Sequence, residues 1–285
     1  MNLTIYNQYY LYSLVRIWDK VTFENLTEIK IFNYGISQPS SLQGLQNDTG
    51  IAFGDTAGNI YILDPNTLNV TRNILNAHIS TIWALTILSN GNLVSGSADK
   101  FIKIWNTTTL SFIKNLVGHE SYIYSLVSIN SNILLSGSAD NTIRIWSTDT
   151  FDLMEICTEH SSIVTNLVVF QDGSFASASE DNTIKIWKKN DFQNVANLTG
   201  HFGTVSAVRF LKNGLLASAS LDRSIKLWEM ISFSNIATRK NAHSKSINSL
   251  KTVLKSTKNY LISSSEDRSI KIWDTDIYLN MSRLI

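Results

Sequence analysis

Along most of the chain, apolar and β-branched runs of four to six residues alternate with short clusters of Gly, Asn, Asp and Ser. That rhythm predicts short antiparallel strands joined by tight turns. Runs such as TIKIW (183–187) and SIKLW (224–228) are too short for helices. No stretch keeps apolar residues at helical spacing, and the two prolines and the scattered glycines fall where turns are expected. The chain reads as all-β.

The strand pattern also repeats. LVSGSADKFIKIW (93–105), LLSGSADNTIRIW (134–146), FASASEDNTIKIW (175–187), LASASLDRSIKLW (216–228) and LISSSEDRSIKIW (261–273) share one layout. Their tryptophans, Trp105, Trp146, Trp187, Trp228 and Trp273, are spaced by 41, 41, 41 and 45 residues. Six residues before each stands Asp99, Asp140, Asp181, Asp222 or Asp267, and four before that Ser95, Ser136, Ser177, Ser218 or Ser263. His78, His119, His160 and His201 precede their serines by 17 residues and His243 by 20; these are all five histidines of the chain. A period near 40 residues marks a structural unit that cannot bury its faces alone and must stack on copies of itself. Radial stacking of four-stranded sheets leaves few open edges, and this predicts a β-propeller.

Two weaker copies lie upstream. FGDTAGNIYILD (53–64) places Leu63 in the tryptophan slot, 42 residues before Trp105, and LVRIWD (14–19) places Trp18 there, 45 residues earlier. The expectation is therefore one domain over 1–285, a seven-bladed propeller of four-stranded antiparallel blades, with units near 1–35, 36–75, 76–116, 117–157, 158–198, 199–240 and 241–285. The first blade is expected to be incomplete. Only 17 residues precede Trp18, enough for two strands, and 12 follow Trp273, room for one outer strand. The expectation is a truncated propeller; the alternative is that MNLTIYNQYYLY folds in a way the repeat does not specify.

Composition narrows the function. With 44% apolar and 16% charged residues and a net charge of +1, the chain has no long-range pull toward nucleic acid, and none is expected as a partner. No apolar run reaches the roughly 20 residues of a membrane helix, and the first residues lack a basic region followed by an apolar one. No membrane is expected as a partner, and a cytoplasmic location is expected, with the nucleus as an open alternative. Cys157 is the only cysteine and the histidines sit in separate units, so no disulfide framework, no metal site and no cofactor are expected.

These residues resemble the WD40-repeat family, whose unit opens with Gly-His and ends in Trp-Asp. Gly118-His119 and Gly200-His201 match in full, whereas His78, His160 and His243 follow Ala, Glu and Ala, and the terminal Asp survives only as Asp274. Ser, His and Asp recurring together also fit a nucleophilic triad, but an active site needs one such set, and here five sets each come with a tryptophan. A hydrogen-bonded chain suits all four residue types: indole N–H to serine, serine hydroxyl to histidine, and the other imidazole nitrogen to aspartate. The resemblance gives this tetrad a structural role. The two early units lack it and are expected to open first.

Function should then lie in what varies between copies. In the family, the turn carrying the Asp and the loop after the His open on one face around the central channel, where extended peptides bind. Five residues after the histidines stand Trp83, Tyr124, Thr165, Ser206 and Asn248, and Tyr122 lies three after His119. Trp83, Tyr122 and Tyr124 could form an aromatic surface spanning two units; the plainer reading is packing between them. Beside the aspartates, Lys100, Arg223 and Arg268 are the available cations, interspersed with Glu180 and Glu266. Pairing with phosphopeptides would use such cations; a solvated charged rim is the plainer reading. The first functional reading is a non-catalytic scaffold binding peptides or domains of other proteins. The alternatives are a recognition fragment of a larger protein, such as a ubiquitin-ligase subunit, and a propeller enzyme, for which no converging carboxylates or metal ligands are found.

Overall fold

The computed structural model describes residues 39–275 except 47–48, 68, 131 and 256–257, and also the backbone of strands Leu3–Asn7, Leu14–Asp19, Asn25–Lys30 and Asn280–Leu284. The third repeat shows the plan. Ile82–Ile87, Leu93–Ser97, Ile102–Trp105 and Phe112–Leu116 pair antiparallel in sequential order. The second strand is buried throughout and the fourth is mostly exposed. This gradient explains the sequence texture: small and apolar residues fill LVSGS, which is covered on both faces, while FIKNL meets solvent. Close approach fixes two glycines. A Cβ on Gly96 would lie 2.6 Å from Ile123 of the next repeat, and one on Gly54 would lie 2.7 Å from Ile82.

Six four-stranded antiparallel blades form, where seven blades were expected with the first of them incomplete. The first repeat gives a three-stranded sheet of Leu3–Asn7, Leu14–Asp19 and Asn25–Lys30. Its register supplies the reason. Thr4 faces Trp18 as Leu93 faces Trp105, so its strands are the second, third and fourth of a blade. No strand of its own precedes them among the described residues. At the other end, Asn280–Leu284 pairs with Ile270–Asp274 as the outer strand of the seventh repeat. The Trp18 side chain lies outside the described residues. The chain divides into two compact units, 1–156 and 157–285, and the division falls at the end of the fourth repeat.

Within each unit the tryptophan slot welds one sheet to the next. Trp105 packs among Ala52, Ile60 and Ile62 of the second repeat, and Trp146 among Val94, Ile102 and Ile104 of the third. In the second unit, Trp228 packs on Ala176, Ile184 and Ile186, and Trp273 on Ala217, Ile225 and Leu227. Burying an indole this way is worth about 3–5 kcal/mol on truncation to alanine. A bulge in the first strand of each four-stranded sheet marks a second position between repeats. The register slips there, leaving Ser40, Trp83, Tyr124, Thr165, Ser206 and Asn248 at the slip. Where this residue carries a hydroxyl, it reaches the next repeat: Ser40 donates to the Ile82 carbonyl at 2.6 Å, Thr165 to that of Val205 at 2.5 Å, and Ser206 to that of Ile247.

Candidate interaction surface

The tetrad residues meet in all five repeats. Trp105 Nε1 donates to Ser95 Oγ at 2.8 Å, Ser95 Oγ lies 2.7 Å from His78 Nε2, and His78 Nδ1 lies 2.8 Å from Asp99 Oδ2. Trp146 reaches Ser136 at 2.9 Å, while His119 lies 2.7 Å from Ser136 and 2.7 Å from Asp140. The corresponding distances are 2.8, 2.7 and 2.6 Å for Trp187, Ser177, His160 and Asp181. They are 2.8, 2.7 and 2.9 Å for Trp228, Ser218, His201 and Asp222, and again for Trp273, Ser263, His243 and Asp267. An indole N–H can only donate, so the serine oxygen accepts from it and gives its own proton to Nε2. The Nδ1–H then faces the carboxylate.

The electrostatics agree with that direction. Burial pushes His78, His119 and His243 below the ordinary imidazole value, against the opposing pull of Asp99, Asp140 and Asp267. Burial alone would raise the five aspartates. Hydrogen bonds from the imidazoles, from Thr142, Thr183, Ser224 and Ser269 hydroxyls, and from backbone N–H groups outweigh it and hold all five below the usual carboxylate range. Neutral imidazole beside ionised carboxylate is the state in which every donor has an acceptor. The five serines have 0% exposure, so no substrate carbonyl can approach their oxygens in this arrangement. The geometry suits clamping the third strand to the second and to the loop entering the first.

Outside the framework, Trp83 and Tyr124 come together. Their ring centroids are 5.7 Å apart at 36°, a tilted contact that brings the bulge residues of the third and fourth repeats together. This is where Ser40, Thr165 and Ser206 use hydroxyls instead. The Trp83 indole N–H is buried and has no hydrogen-bond partner among the described residues. Tyr122, 46% exposed, lies two residues away, and its carbonyl receives the Ala139 N–H of the aspartate turn. Lys100, Arg223 and Arg268 are exposed and occupy one position of the aspartate turn, at φ 76, 69 and 67°. Gly58 fills that position in the second repeat. Arg223 also lines an open recess of about 470 Å³ with Asn241, His243, Ser244 and Lys271.

Two apolar side chains on the same loops escape sequence reasoning. Ile79 and Phe202 directly follow tetrad histidines and are 87% and 91% exposed, and the Phe202 N–H is pinned to Asp222 at 2.9 Å. The available signal was positional, since the other repeats carry Glu120, Ser161 and Ser244 there.

The family model described as "WD domain, G-beta repeat" matches residues 69–106, 110–147, 151–188, 192–229 and 234–274, together more than half of the chain. The chain belongs to the WD40 family. Each matched WD40 segment opens on or just before the outer strand of one sheet and closes at or just after the end of the third strand of the next, as 69–106 runs from Val70–Ile74 past Trp105. The family repeat is thus offset by one strand from the blade, which ties neighbouring blades covalently. A relative, the 26S proteasome regulatory subunit RPN14 of Saccharomyces cerevisiae, is 40% identical over 67 residues. That match covers 23% of this WD40 chain and 16% of the yeast protein.

Proposed function

We propose that this WD40 chain is a non-catalytic scaffold that holds peptides or domains of other proteins on the loop face of its blades, with the Trp83–Tyr124 pair as an anchor. One observation carries the reading. The tetrads use up their own polar groups, whereas Trp83 lies outside the tetrads, at a bulge position where other repeats carry small polar residues, and packs tilted on Tyr124 with both rings partly exposed. A partner that lays an apolar group on the half-exposed ring edges would use this pair, and aromatic anchors of this type are typical hot spots. Tyr122 and Ile79, on the loops that lead into the same two strands, are exposed apolar side chains. Lys100, in the same unit, supplies a charge.

A second reading is supported by the yeast match: the partner is a component of the proteasome system, as the relative's being a proteasome regulatory subunit suggests. Affinity capture from native lysate with quantitative mass spectrometry tests both, comparing the wild-type chain with a Trp83→Ala/Tyr124→Ala variant of matched melting temperature. Partners held by the wild type and lost from the variant are expected, and proteasome subunits among them would favour the second reading. Identical partner sets from both chains would move the working surface away from the aromatic pair.

A further inference from the structure

Val164–Val169, Val205–Phe210 and Ile247–Lys255 are the first strands of the fifth, sixth and seventh repeats, and each neighbours the next. Eight residues after the tetrad histidine, the third to fifth repeats carry Thr86, Val127 and Val168, while the sixth and seventh carry Arg209 and Lys251. All five occupy the same register position, paired with Val94, Leu135, Ala176, Ala217 and Ile262. The framework therefore needs no cation there, yet two stand on adjacent strands.

Asn166 fixes one of them. Its Oδ1 accepts from Arg209 Nη1 at 2.8 Å and from the Val208 N–H at 3.1 Å, while Arg209 Nη1 also donates to the Val208 carbonyl at 2.6 Å. With its oxygen committed, the Asn166 amide has only N–H donors left to offer. Among the described residues no carboxylate forms an ion pair with Arg209 or Lys251. Lys251 is open to solvent at its surface but crowded by surrounding protein. That crowding first, and the Arg209 charge second, lower its ammonium to about 8, and burial lowers Arg209 to about 10. Two uncompensated like charges cost stability that an anion between them would return.

We propose that Asn166, Arg209 and Lys251 form a binding site for a compact oxyanion, a carboxylate or phosphate group. The guanidinium presents a planar fork of donors, the ammonium a mobile charge, and the amide a neutral donor. The inference uses residues of the second unit alone and stands independently of the Trp83–Tyr124 pair.

Thermal melting of the full chain in inorganic phosphate, against chloride of matched ionic strength, tests it in wild type, Arg209→Gln and Lys251→Gln. The wild-type midpoint is expected to rise with phosphate beyond the chloride control, and each variant to need about tenfold more phosphate or greater for the same rise. Lys251→Glu, which supplies a carboxylate internally, is expected to melt above wild type in chloride and to lose the phosphate response. An equal phosphate response in all four chains, or none in wild type, would overturn the proposal. Competition between phosphate and a glutamate-bearing peptide or its glutamine twin then separates the sources. Displacement by the glutamate peptide alone assigns the site to a partner's side chain, and displacement by neither assigns it to a free anion; both results keep the site.

Discussion

Ser177 has almost no freedom to change. Its hydroxyl takes the Trp187 N–H at 2.8 Å and meets His160 Nε2 at 2.7 Å, with 0% exposure. Ser177→Ala strands both neighbours, and orphaned buried groups cost about 1–3 kcal/mol each, so a loss of about 2–6 kcal/mol is expected in urea unfolding. A midpoint within error of wild type would contradict the clamp. Lys100 and Arg223 behave oppositely. A left-handed conformation costs an L-residue about 1–2 kcal/mol, and glycine removes that strain while adding about 0.5–1 kcal/mol of unfolded-state entropy. Lys100→Gly and Arg223→Gly are therefore expected to fold as stably as wild type or slightly more so, and a stability lowered by more than about 1 kcal/mol would count against this. Both substitutions remove rim charge. The tetrad was legible in the sequence because identical chemistry recurs at fixed spacing. The setting of Arg209 and Lys251 was not, because Arg209 meets Asn166 and neighbours the strand of Lys251 only when first strands of successive repeats come side by side.

At the scale of the blade, strand pattern and slot spacing were enough to place the second to seventh sheets. The first repeat was harder, since a blade's strand count depends on which segment pairs with a free edge, and a bare pattern of apolar runs does not say. The packing also separates the two early units that the sequence grouped together. In the second repeat the polar set is replaced wholesale: Phe53 stands in the serine slot and stacks on Tyr61 at 5.1 Å and 18°, and Leu63 fills the tryptophan slot at 1% exposure. Neither Phe53 nor Leu63 brings a polar group that needs a partner, and a consistent apolar substitute is as good as a complete network. Amide exchange along Ile51–Asp55 is accordingly expected to match that along Leu93–Ser97. Much faster exchange in Ile51–Asp55 would show that the tetrad, and not burial, sets blade stability.

For the molecule as a whole, five buried clamps make folding sensitive to acid. His78, His119 and His243 bind protons less readily folded than at the unfolded value of about 6.5, so falling pH favours the unfolded chain once it passes that value. The five tetrad aspartates, depressed when folded, add a second loss below about pH 4. A lower melting temperature at pH 5.5 than at pH 7.5 is expected, and a flat or rising profile would contradict neutral buried imidazoles. The central claim is a division of labour, in which repeated residues hold the blades and unrepeated ones meet the partner. Partner occupancy per folded molecule tests it most directly, measured by affinity capture on wild type, Ser177→Ala and Trp83→Ala/Tyr124→Ala, each normalised to its folded fraction. The expected result is normal occupancy on the destabilised Ser177→Ala chain and little on the stable aromatic variant. Lost occupancy on Ser177→Ala with full occupancy on the aromatic variant would contradict the account.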